Sequence, residues 1–186
     1  GFGSQEEVHC KETLVTTGCC LTIKTACDCL STLVSRSRSC GWEQFVTQSV
    51  IMRIAEHLIN TLRSCKNFGA KKDLERSLET VCKFAACSSD LDLHVVPQHC
   101  ADILVAQVRA SRADSYLCRS AGLRHAFRAV LACTGASANH VALVCDTVRQ
   151  LLDLAQFDAA AVSEVAINAC NALRILFEHT TSGPLL

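Results

Sequence analysis

The chain has 186 residues, of which 49% are apolar and 19% charged, and Lys plus Arg equals Asp plus Glu at 18 each, so its net charge is zero. That apolar content excludes general disorder, and a chain of this size can bury roughly 70% of its unfolded surface in a core. Zero net charge excludes a global field that would draw in nucleic acid or an anionic membrane, so any such binding requires a local patch.

Taken in chain order, apolar periodicity and punctuation predict about eight helices and no strand. Ser4 and Glu7 stand in capping-box spacing before a short helix from about Gln5 to Thr16. A second runs from about Cys19 to Val34 and ends in Ser35-Arg36-Ser37-Arg38-Ser39. A long third, from about Trp42 to Lys66, carries Phe45, Val46, Val50, Ile51, Ile54, Leu58, Ile59 and Leu62. Gly69 is expected to be a left-handed stop before a fourth helix from Lys71 to Cys87. Leu74, Leu78, Val81, Cys82 and Ala85 form its apolar face, opposite a polar face of Lys72, Glu75, Arg76, Glu79 and Lys83.

Pro97 fits the first turn of a fifth helix that reaches about Arg109, because its missing N–H is not needed there. Asp114 is the expected cap of a sixth, from Ser115 to about Cys133, and Thr134-Gly135 closes it. The seventh spans Ala138 to Gln156, with Val141, Val144, Cys145, Val148, Leu151, Leu152 and Ala155 as its apolar series. Asp158 caps an eighth that runs to about His179 and is apolar on nearly every side, from Val162 to Phe177. Such a helix must be buried or covered by a neighbour.

The third and fourth, fifth and sixth, and seventh and eighth predicted helices form pairs about 40 to 47 residues long, which is the period of HEAT and armadillo units. Each hairpin has more apolar surface than it can hide alone, so stacking is expected, with a closed helical bundle as the alternative. The domain reading is a single helical domain over 1–186. Residues 1–40 supply N-terminal capping helices and residues 42–181 three helical pairs. The opening Gly1-Phe2-Gly3-Ser4 reads as an expression remnant, so the chain is expected to be a piece of a longer protein.

Fourteen cysteines would suit a disulfide scaffold, but such scaffolds compensate for a missing core with loops rich in Gly and Pro. Here there are eight Gly, two Pro and ample apolar content, and the thiols fall inside helical apolar patterns. They are read as reduced, small apolar side chains, which places the chain in cytosol or nucleus. The longest apolar runs, such as Ile103 to Val108, fall short of the roughly 18 residues needed for a membrane span.

The segment Val165-Ala166-Ile167-Asn168-Ala169-Cys170-Asn171-Ala172-Leu173-Arg174-Ile175-Leu176 resembles the last helix of an armadillo unit, and Val148-Arg149-Gln150-Leu151-Leu152 is similar to the helix before it. The likeness is concentrated in residues 137–181. The Gly between the first two helices of an armadillo unit is missing, which moves the resemblance toward the two-helix HEAT unit. It implies a right-handed α-solenoid that serves as a protein-interaction scaffold.

Cys82, Cys87, His94 and His99 or Cys100 are the nearest approach to a zinc set. Positions 82 and 87 lie about 140° apart around one helix, however, which disfavours a shared ion. The group Cys19, Cys20, Cys27 and Cys29 diverges in the same way. Neither His9-Cys10 nor His99-Cys100 comes with the third group that activates a nucleophile, and no Gly-x-Ser-x-Gly, phosphate loop or His-Glu-x-x-His is present. No catalytic residue, metal or cofactor is therefore assigned, and the chain is expected not to be an enzyme.

Basic residues concentrate at Arg109, Arg112, Arg119, Arg124 and Arg128, with Asp114 the only acid among them. Arg124 and Arg128, one helical turn apart, can jointly meet a carboxylate or phosphate. Arg119, Arg124 and Arg128 are the candidate partner-binding residues, for a protein or peptide that is itself acidic. The alternative reading is a nucleic-acid-binding or RNA-processing accessory domain, disfavoured by neutrality and by an aromatic content of 5%.

Overall fold

Helix boundaries in this protein follow local capping chemistry more closely than apolar pattern. The computed structural model describes residues 3–37, 39–42, 45–110, 120–132, 138–156 and 164–180. Among these there are seven α-helices, a 3-10 turn and no strand. They are α1 (Gly3–Arg36), α2 (Gln48–Ser64), α3 (Phe68–Ala86), α4 (Val96–Ala110), α5 (Ser120–Leu131), α6 (Ala138–Leu154) and α7 (Glu164–Thr180).

The two helices expected before residue 35 are one. Gly18 stays helical, at a propensity cost of about 1 kcal/mol, and the Thr22 hydroxyl donates back to its carbonyl at 2.9 Å. Gly41, with φ of 69°, makes the left-handed turn after α1. α2 then begins at Gln48 rather than Trp42, because Thr47 is extended and its hydroxyl accepts the Val50 N–H. Gly69 is not a stop. Asn67 caps α3 by accepting the Ala70 N–H at 3.0 Å, which leaves Gly69 inside the first turn. A 3-10 turn at Leu91–Val95, which the periodicity does not reveal, leads into α4 and is capped by Asp90. The caps assigned to Asp114 and Asp158 lie outside the described residues.

Helices pack on neighbours two places along the chain: α1 on α3, α3 on α5, α5 on α7, and likewise α2 on α4 and α4 on α6. Cross-contacts between α2 and α3, α4 and α5, and α6 and α7 join the two rows. α1 sits tightly on α3 because both surfaces are small there. The Ser77 hydroxyl donates to the Cys27 carbonyl at 3.1 Å and accepts from Ser31 at 3.1 Å.

The core runs continuously through Ile51, Leu58, Leu62, Leu78, Val81, Leu104, Phe127, Val130 and Leu151. The predicted face of α3 is buried throughout. The face of α6 is rotated from its prediction. Leu143, Thr147 and Leu151 point inward, whereas Val141, Cys145 and Leu152 are exposed. Thr147 is tolerated inside because its hydroxyl donates to the Leu143 carbonyl at 2.8 Å. α7 buries Ala166, Ala169, Ala172, Leu173, Ile175 and Leu176, while Phe177 remains exposed. Replacing the fully buried Leu151 with Ala is expected to cost about 2–5 kcal/mol in a urea titration. A cost near zero would show that α6 does not present this face to the core.

Candidate anion-binding groove

The polar face of α3 does not simply face solvent; it forms one wall of a groove of about 620 Å³ whose other wall is α5. α3 contributes Lys71, Lys72, Glu75, Arg76 and Glu79, and α5 contributes Arg124, His125 and Arg128. Two of the three sequence-predicted residues, Arg124 and Arg128, therefore line the same groove. Arg119 lies outside the described residues.

Glu75 organises the floor. Its carboxylate accepts a hydrogen bond from Nδ1 of the buried His125 and pairs with Arg128 Nε at 3.2 Å. The α3 to α5 spacing is thereby tied by polar contacts as well as by the core beneath. Phe68 stands at the mouth, edge-on to His125 with centroids 6.0 Å apart, and the Lys72 ammonium lies 5.0 Å from its ring centre. Arg76 reaches Asp73 at 3.7 Å and is otherwise well exposed. Five cationic side chains thus line the groove against two carboxylates. The first turn of α3, whose N–H groups carry the positive end of the helix dipole, contains no acidic residue. In a protein of zero net charge this is a concentrated positive field, able to attract an anionic group by charge-assisted hydrogen bonds.

The cysteine and histidine sets noted in the sequence do not converge. Cys82 and Cys100 are buried apolar residues and Cys87 is exposed. His94 Nε2 bonds the Ser88 carbonyl at 2.8 Å, and His99 turns to Glu56 at 2.8 Å. Among the described residues no group of three or more His, Cys, Asp or Glu is placed to hold a metal ion. None of the eleven described thiols is in a disulfide; of the group Cys19, Cys20, Cys27 and Cys29, Cys27 is buried, and Cys19 and Cys29 are exposed. Burial pushes the Cys27 thiol above the usual range, partly offset by its hydrogen bond with Ser77. No helix among the described residues is long and apolar enough to cross a membrane.

Fold and groove together define an all-helical protein with a basic cleft between two of its helices. The chain belongs to the THADA/TRM732 family: the match to the family described as THADA/TRM732, DUF2428, extends over residues 3–185. No curated protein and no solved structure gives a match.

The α3 wall of the groove was hidden in the sequence because its charges alternate in sign, as on an ordinary solvated helix face. The only local signal was the run of Arg in the segment that includes α5. What turns that run into a site is the pairing of residues about 50 positions apart, as between Glu75 and His125.

Proposed function

We propose that this chain is a non-catalytic interaction module with a place in RNA modification, and that it holds an anionic partner in the groove between α3 and α5. The observation that carries this reading is the gathering of Arg124 and Arg128 with Lys71, Lys72 and Arg76 into one cleft of an otherwise neutral helical protein. Membership of the THADA/TRM732 family supports the accessory role in RNA modification. The two rows of alternating helices support a HEAT- or armadillo-type stack, since a solenoid brings each helix against its counterpart in the next pair. Cys27, Cys82 and Cys100, buried as small apolar residues, fit a cytosolic or nuclear protein whose thiols stay reduced.

Arg124 is the position to test, because it is exposed and because reversing Arg128 would break its pair with Glu75 and set two carboxylates against each other. Arg124→Glu should lower partner recovery in affinity purification from cells at least tenfold while the melting temperature changes little. Unchanged recovery of every co-purifying partner would rule the groove out. Performing the same purification after ribonuclease treatment separates a protein held directly from one carried by RNA.

A further inference from the structure

Resting on that reading, we propose that the groove's occupant is an acidic protein segment carrying a bulky apolar residue next to its carboxylates. Three observations lead there. Lys71 lines the groove and is only 7% exposed, so most of its side chain is fixed by packing. A cation held this way loses little freedom when it pairs, so an arriving carboxylate meets a ready partner. The second observation is Phe68, 64% exposed at the mouth of the same groove, with Lys72 and His125 already holding its ring in place. A fixed aromatic ring beside cations matches an apolar side chain adjacent to acids.

The third is the make-up of the walls. Surfaces that track single-stranded nucleic acid combine an uninterrupted basic path with several stacking rings. This groove offers one ring, and Glu75 and Glu79 interrupt its cations. Its volume, about 620 Å³, suits a few side chains rather than a duplex. In the bound state one carboxylate lies against Lys71, another spans Arg76 and Arg124, and the apolar residue rests on Phe68. Arg128 stays on Glu75 and keeps α5 in position.

Fluorescence anisotropy on the full chain tests this, with a labelled peptide of alternating Glu and Leu, a second in which Ser replaces Leu, and a labelled ten-nucleotide oligouridylate. The Glu/Leu peptide should bind at least tenfold more tightly than the Glu/Ser peptide, and Phe68→Ala should abolish that difference. Arg124→Glu should weaken both peptides at least tenfold, and Lys71→Ala likewise, with circular dichroism verifying that each variant is folded. Arg124→Glu, at an exposed position, keeps the test valid if Lys71→Ala does not fold. If only the oligouridylate binds, and does so through Arg124, the groove still takes anions but the acidic-segment proposal is overturned. Equal affinity for the two peptides, unaffected by Phe68→Ala, also overturns it. If no probe responds to Arg124→Glu, the anionic-partner reading fails with it.

Discussion

Phe127→Ala is expected to remove about 3–5 kcal/mol of stability, because it takes the largest fully buried side chain among the described residues out of the helix that touches most of the others. α5 packs against α2, α3, α4 and α7, so a cavity at Phe127 cannot close by the shift of one neighbour alone. Part of the loss is the transfer term for the ring, and the rest is the space left behind where rigid helices relax only partly. Against a typical total of about 5–15 kcal/mol this is a large share. The melting temperature should drop by roughly 10 °C for a chain of this length. Phe127→Leu, which retains most of the volume, should cost far less. A loss below about 1 kcal/mol for the alanine variant, with an unchanged urea slope, would show that the ring is not enclosed as the packing indicates.

How much of this was readable beforehand depends on whether the signal is local. The apolar face of α3, from Leu74 to Ala85, was legible because every member lies on one stripe at helical spacing and all are buried. Boundaries failed where two local signals competed. Thr47 and Asn67 each offer a side-chain oxygen to an orphan helix N–H, and those caps override both the apolar continuation from Trp42 and the glycine at position 69. α6 was read with its stripe rotated, because Thr147 looks polar in sequence yet satisfies its own hydroxyl within the helix. That leaves Cys145, counted as a core thiol, on the outside.

The groove was half legible for a related reason. Arg124 and Arg128 stand out by local charge density. Lys71 does not, because nothing in its neighbourhood announces that it will be buried opposite α5. Sequence pattern finds what each helix does to itself. The groove is something two helices do to each other.

Gly122→Val should have the largest effect of any single change, and it is the clearest case of such a mutual requirement. A Cβ at position 122 in α5 would lie 2.3 Å from the Leu62 carbonyl oxygen, 2.9 Å from its carbon and 3.0 Å from Arg63 Cα, all backbone atoms of α2. None of these can rotate aside, so the helices must separate by roughly 1 Å, which forfeits much of the dispersion contact on both sides. Gly122→Ala gains about 1 kcal/mol of helix propensity and should still lose about 2–3 kcal/mol net, while Val should lose more or fail to fold. Gly18 provides the control: a Cβ there meets nothing within 4 Å, so Gly18→Ala should stabilise α1 by the propensity term alone. Urea titration of the three variants separates the two effects. If Gly122→Ala and Gly18→Ala stabilised equally, α5 would not approach α2 this closely. The contact also reaches the candidate site, because Arg124 and His125 follow Gly122 on the same helix and stand opposite Lys71 and Glu75 only while α5 is seated against α2. A folded Gly122→Ala protein should therefore bind the anionic probe less tightly although no groove residue has been changed.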